Sequence, residues 1–125
     1  MGTFRVTAEI SRPSELDAFV PVGELIVDTG SEMTWTHRDL LTTAGVSVRK
    51  KDQHFVIANG TQRTRQVGYA VIRSGEFETI DEVVFAEPGG FQLLGARTLE
   101  GFNATIDVAR KRLVVAGPMP VAFVS

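Results

Sequence analysis

Along most of this chain apolar residues alternate with polar ones at a period of two, the pattern a strand with one buried face requires and a helix cannot use. Phe4, Val6, Ala8 and Ile10 alternate with Arg5, Thr7 and Glu9. Leu25-Ile26-Val27 is instead an unbroken apolar run, as in a strand covered on both faces, and it stops abruptly at Asp28-Thr29-Gly30-Ser31. Two strand-like runs flank Asn59-Gly60, a pair suited to positive φ at both turn positions, and predict a long hairpin over 53–73. A further strand is predicted over 77–85; Glu87-Pro88-Gly89-Gly90 breaks it, and 91–94 starts the next. Strands over 104–108 and 113–116, joined by a turn at 109–112, and a terminal strand over 121–124 complete the pattern.

Helical spacing is confined to two short stretches. In 37–44, Leu40, Leu41 and Ala44 share a helix face and Gly45 ends it; in 97–102, Gly101 and Asn103 loosen the C-terminal end. The fold class is therefore all-β with one or two short helices. At 125 residues the chain has room for one core, and 1–125 reads as a single domain. The apolar runs leading to Asp28-Thr29-Gly30 and to Leu93-Leu94-Gly95 each precede a helix candidate, an echo compatible with internal twofold pseudo-symmetry.

Charge and composition exclude several functions. A formal charge of −2 provides no broad basic face for a phosphate backbone, so nucleic acid is not expected as a partner. With no cysteine there is no disulfide, thiolate metal site or Cys nucleophile. His37 and His54 stand seventeen residues apart without clustered acidic ligands, so neither a metal nor another cofactor is expected. The opening residues lack a signal peptide's charged and apolar regions, and no apolar run is long enough to span a bilayer. A cytoplasmic protein with no membrane partner is the expectation. Arg49-Lys50-Lys51, Arg63 and Arg65 read most simply as a solvated face, and a preference for acidic substrates is the alternative.

Asp28 is the most informative position, because its own strand carries the carboxylate toward the interior. Burying a lone charge is costly unless it is paired, protonated or hydrogen-bonded. Thr29, Gly30 and Ser31 offer hydroxyls and a close backbone approach that can supply donors. A turn capping a strand accounts for Asp-Thr-Gly equally well.

The joint pattern narrows the choice. Leu-Ile-Val-Asp28-Thr-Gly-Ser, the pair Met33-Thr34, a hairpin some 30 residues later, Leu93-Leu94-Gly95-Ala96-Arg97-Thr98-Leu99 and then Ile106-Asp107 resemble, in residues and spacing, the retropepsin-like aspartic proteases. The likeness extends to bacterial single-domain members and to the protease domain of the DNA-damage-inducible proteins. It implies a partly closed β-barrel in which the Leu93-Leu94-Gly95 strand passes beneath the Asp28 loop. It also implies a homodimer, since one Asp-Thr-Gly per chain gives half a catalytic pair.

By the same resemblance, Asp28, Thr29 and Gly30 form the catalytic loop. Thr29 locks the two loops across the dimer axis, Gly30 accepts substrate backbone hydrogen bonds, and Ser31 hydrogen-bonds the carboxylate. Leu93, Leu94 and Gly95 support the loop. Met33 and Trp35 line a substrate pocket, shallow because Trp35 is bulky, and Ala58, Asn59 and Gly60 form the flap tip over a peptide or protein substrate. Core packing explains Trp35 nearly as well. Arg often follows the late glycine directly in that family; here Ala96 does, with Arg97 displaced by one and Glu32 as its potential partner. Asp107 is expected to cap a hairpin or meet a nearby cation. The expected activity is endopeptidase; a non-catalytic dimeric module that binds extended peptides is the competing reading.

Overall fold

The structure, a computed structural model of the single chain, describes residues 3–124. Among them run β1 (Arg5–Ser11), β2 (Val20–Val27), β3 (Thr34–His37), α1 (Arg38–Thr43), β4 (Val48–Val56), β5 (Gln62–Ser74), β6 (Phe77–Ala86), β7 (Leu93–Leu94), α2 (Ala96–Phe102), β8 (Ala104–Asp107) and β9 (Arg112–Val115). Seven strands form one sheet in the order β1-β2-β7-β3-β6-β5-β4, and β1 also pairs with β5 through Glu9, Ile10 and Ser11. The sheet thus bends back on itself as a partial ring of strands. β8 and β9 make a separate hairpin.

Alternation sorts the side chains onto two faces. Ile10, Leu25, Ile72, Val83 and Leu94 are fully buried on one, where Leu41 of α1 and Leu99 and Phe102 of α2 complete the main core. Phe77 stacks on Phe102 with ring centroids 5.7 Å apart. Each fully buried Leu or Ile contributes about 1.5–3 kcal/mol relative to exposure. A smaller cluster gathers Met33, Val67 and Val84, with Trp35 and Phe55 packed against it. Val83 and Val84 enter different clusters because consecutive strand residues point to opposite faces.

The predicted helices both form. α1 ends at Ala44, and Gly45 takes φ +79 just beyond it. α2 begins one residue earlier than predicted and retains Gly101, whose missing side chain leaves room for Thr79; the left-handed Asn103 ends it. No helix among the described residues is long and apolar enough to cross a membrane.

Several expectations are corrected. The long hairpin does not close with two positive-φ residues. Gly60 donates to the Ile57 carbonyl (2.8 Å), Ile57 donates to that of Thr61 (2.9 Å), and Gly60 alone has positive φ, so a three-residue loop ends in a glycine bulge. Residues 121–124 form no strand; their exposed Val121, Phe123 and Val124 lie outside the sheet. The strand over 91–94 contracts to Leu93 and Leu94, because the Gln92 side chain binds across the chain and Phe91 is exposed. Leu25-Ile26-Val27 is covered fully on one face only: Leu25 and Val27 are buried while Ile26 is half-buried.

Candidate active site

β2 runs straight into the Asp28 loop, and β7 lies alongside it in parallel, with Ile26 opposite Leu93 and Val27 opposite Leu94. The pairing continues past the strand end: the Asp28 amide donates to the Leu94 carbonyl at 3.0 Å. The loop's own carbonyls are then taken up by the start of α2, Ala96 donating to Ser31 (2.8 Å) and Arg97 to Glu32 (3.0 Å). Besides the β2–β7 ladder itself, four backbone hydrogen bonds, counting Ile26 N–H to the Gln92 carbonyl (2.9 Å), tie residues 26–32 to 92–97. The expected passage of Leu93-Leu94-Gly95 beneath the Asp28 loop is present.

Within the loop, the Gly30 amide donates to Asp28 Oδ1 at 3.0 Å, and a Cβ at Gly30 would stand 3.2 Å from that oxygen. Asp28 is half-buried rather than interior, and Thr29 and Gly30 are exposed. The Ser31 hydroxyl donates to the Met33 carbonyl at 2.7 Å, not to the Asp28 carboxylate. The turn geometry explains this, because Ser31 already donates its amide to the Asp28 carbonyl and its side chain faces onward along the chain.

Behind the loop lies a buried polar chain. The Gly95 amide donates to Thr34 Oγ1 (3.0 Å), the Thr34 and Thr98 hydroxyls are 2.6 Å apart, and Thr98 Oγ1 donates to Asp81 Oδ2 (2.9 Å). A hydroxyl has one proton, and that of Thr98 goes to Asp81, so Thr34 must donate to Thr98. Every hydroxyl proton in the chain is thereby oriented. A Cβ on Gly95 would meet the backbone of Met33 and Glu32, so the glycine is required for the close approach of the two segments.

The register also gives the site a floor. Ile26, Leu93, Trp35, Val84 and Val67 are successive cross-strand partners and project to one face. Asp28, two residues beyond Ile26, continues that face. Phe55 of β4 packs edge-on against Trp35, ring centroids 4.9 Å apart, which brings the arm of the hairpin over the floor. Met33 is buried beneath, and Trp35 is half-buried. Ala58, Asn59 and Gly60 are exposed at the hairpin tip, and their hydrogen bonds stay within the turn, including Thr61 N–H to Asn59 Oδ1 at 2.9 Å. The structure thus brings Asp28 together with 92–97 and Trp35 with the hairpin arm, while the tip's hydrogen bonds are made within its own turn.

Charged groups link these parts. Arg97 reaches Glu32 at 3.3 Å and Glu82 at 3.7 Å, and Glu82 also pairs with Lys50 of β4 at 2.8 Å. Hydrogen bonding to the Glu82 carboxylate, aided by its charge, raises the Lys50 ammonium above its usual value. On the far side, Arg73 is raised by its hydrogen bond to Glu9. Asp107 accepts the Arg110 amide at 3.1 Å and caps the β8–β9 turn as expected. Among the described residues no three His, Asp or Glu side chains gather as metal ligands; His37 Nε2 instead lies 2.7 Å from the Gly90 carbonyl. A surface cavity of about 570 Å³ beside β8–β9, lined by Arg5, Glu24, Phe77 and Arg112 among others, lies apart from all this chemistry.

Sequence reasoning missed the residues that hold the site rather than form it. Gln92 donates to the carbonyls of Val22 (2.7 Å) and Glu24 (3.3 Å) and accepts from the His37 amide (3.0 Å), clasping β2 to β3. Thr34 and Thr98 stand in the motif but were given no bracing role, and neither was Asp81. Their signal was weak: Thr34, Asp81 and Thr98 stand among other polar and charged residues, and nothing local distinguishes them from solvated positions.

A parallel strand pair ending in Asp-Thr-Gly, braced from below by Leu-Leu-Gly and flanked by a hairpin arm, agrees with a comparison against protein families. Residues 17–108 match the family described as aspartyl protease, and the chain belongs to it. No match was found among curated proteins. Membership carries a general aspartic-protease-like function and a potential for hydrolysis.

Proposed function

We propose that this chain is a retropepsin-like aspartic endopeptidase, near in pattern to bacterial single-domain members and the DNA-damage-inducible proteins, and that it works as a homodimer of partly closed β-barrels. The observation that carries this reading is the seat of Asp28: its amide bonds to Leu94, its carboxylate accepts from Gly30, and it continues the half-open face of Ile26, Leu93 and Trp35. One chain offers one such carboxylate, so a second copy supplies the other. Exposed apolar side chains at Phe91, Val121 and Phe123 support a surface covered by that copy.

Two carboxylates brought close together do not both ionise, and they share a proton. The ionised member takes a proton from water as the water oxygen attacks the peptide carbonyl carbon, while the protonated member donates to the carbonyl oxygen. Collapse of the tetrahedral species breaks the C–N bond, delivers a proton to the leaving nitrogen and restores the singly protonated pair. In this reading Thr29 joins the two loops and the Gly30 carbonyl receives substrate N–H groups. Leu93, Leu94 and Gly95 brace the loop, and Met33 and Trp35 wall a shallow pocket. The tip at Ala58, Asn59 and Gly60 closes over an extended peptide, where it excludes water.

The test is digestion of a peptide library at about pH 5 by the wild type and Asp28→Asn, with sedimentation equilibrium on both. The expected result is a dimer that cleaves only with Asp28 present. Cleavage by a strict monomer would overturn the shared site, and a dimer that binds peptides without cutting them would leave only the binding role.

A further inference from the structure

The hairpin made by β4 and β5 presents one face to the candidate site, and the register identifies which residues lie on it. Phe55 and Val67 belong to the cluster around Trp35 and so mark that inner face. Arg63 is the direct cross-strand partner of Phe55, and Arg65, opposite Gln53, lies two residues from both Arg63 and Val67 on the same strand. Directly opposed residues and residues two apart share a face, so both arginines lie on the inner face. Burial marks the same face along most of its length: Gln53, Phe55 and Arg65 are half-buried, whereas His54, Val56, Gln62 and Thr64 are exposed, and Arg63, nearer the tip, is exposed as well.

Neither guanidinium is neutralised. Among the described residues no carboxylate forms an ion pair with Arg63 or Arg65, although Lys50, Arg73 and Arg97 all have acidic partners. Each arginine makes one side-chain hydrogen bond, from Nη1 to the carbonyl of the residue before it, Gln62 for Arg63 and Thr64 for Arg65. The Nε of Arg65 is shielded from water and meets no acceptor in the protein. Such an unmet donor on a charged group is costly, and an incoming anionic acceptor removes the cost. The surrounding charge has the same sign: residues 48–67 contain Arg49, Lys50, Lys51, Arg63 and Arg65 against Asp52 alone, in a chain of net charge −2.

We infer that Arg63 and Arg65 form an acidic-residue subsite on the underside of the hairpin, selecting extended peptides with an Asp or Glu side chain near the point where they cross the Asp28 face. This deepens the proposed function and rests on its extended-peptide site, though not on cleavage itself. A planar carboxylate matches the guanidinium fork and supplies the acceptor that Arg65 lacks. Trp35 and Phe55 already fill the adjoining wall, so discrimination in this region comes from charge rather than from a deep apolar pocket.

The experiment compares paired peptides that differ only by Glu or Gln at each position around a cleavable sequence. Binding is read by fluorescence anisotropy on Asp28→Asn, and cleavage by kcat/KM on the wild type. At one position the Glu peptide should be favoured about tenfold, the discrimination expected of one partly desolvated charge-assisted hydrogen bond, and the preference should shrink as salt rises. With Arg63→Gln and Arg65→Gln together the Glu-to-Gln ratio should fall to near one. Arg65→Glu should favour Lys over Gln at that same position. Circular dichroism on each variant confirms an intact fold. Equal binding of Glu and Gln peptides at every position would overturn the inference while leaving proteolysis standing. Selective binding with no cleavage by the wild type would uphold the subsite and overturn the proteolytic reading instead.

Discussion

The hydroxyl of Thr34 lies 2.6 Å from that of Thr98, joining the strand that follows the Asp28 loop to the helix that braces it. Thr36, two residues further along the same strand, is equally buried, yet its hydroxyl has no partner in the protein. The two positions should therefore respond oppositely to the same change. Thr98→Val leaves the Thr34 proton and an Asp81 oxygen unpaired and should cost about 1–3 kcal/mol in urea unfolding. Thr36→Val removes an unpartnered polar atom and should be neutral or stabilising. Equal losses at both sites would show that the polar chain contributes nothing specific.

Gly95 should tolerate no side chain. A Cβ there overlaps the Met33 and Glu32 backbone, so Gly95→Ala must push β7 and the Asp28 loop apart. Overpacking of this kind costs about 1–3 kcal/mol, and because the displaced atoms hold the loop, peptide cleavage should fall more steeply than stability. A variant with full activity would show that the loop does not depend on this close contact.

On the proposed function, Asp28→Asn should abolish cleavage without changing the oligomeric state, since amide and carboxylate are nearly isosteric. On the same reading, wild-type activity should follow a bell-shaped pH curve, because cleavage needs one carboxylate as base and one carboxyl as acid and either extreme of pH removes one of them. A rate that climbs steadily to alkaline pH, measured where the dimer persists, would point to another mechanism.

The Lys50–Glu82 ion pair should stabilise over a defined pH window. Folding raises the Lys50 ammonium above the value of 10.5 it has when unfolded, so its contribution is complete below that pH and fades as the pH climbs through the higher folded value. The difference in thermal midpoint between wild type and Lys50→Gln should be small, because the pair is exposed, constant from about pH 7 to 9, and gone in strong alkali. A difference that vanished between pH 7 and 9 would exclude the ion pair as its source.

Strands and helices were legible wherever local pattern decides them. The alternation at Phe4 to Ile10 and the helical spacing of Leu40, Leu41 and Ala44 reappear as β1 and α1. Asp28 and its bracing by Leu93-Leu94-Gly95 were legible through their joint spacing. The turn at Asn59-Gly60 was misread because the number of residues between the paired ends, rather than the dipeptide itself, chooses the turn type. The predicted strand over 121–124 failed because β-propensity needs a partner edge, and within the chain β1 pairs instead with β2 and β5. The bracing roles of Gln92, Thr34, Asp81 and Thr98 were not legible because their partners lie 17 to 70 residues away, and no local window contains both ends of such a bond.

The insertion of β7 between β2 and β3 also sets a clock on synthesis. Gly95 and the threonine that receives its amide are 61 residues apart, so the aspartate loop leaves the ribosome long before the segment that anchors it. A nascent chain, or one cut short before β7, has the acidic residue without the bonds to Leu94, Ala96 and Arg97 that shape its loop. Long-range closure of this kind comes late in folding. On the proposed function, cleavage therefore waits until residues 92–97 have been made and have closed onto the loop, so an emerging chain holds its aspartate unshaped until then.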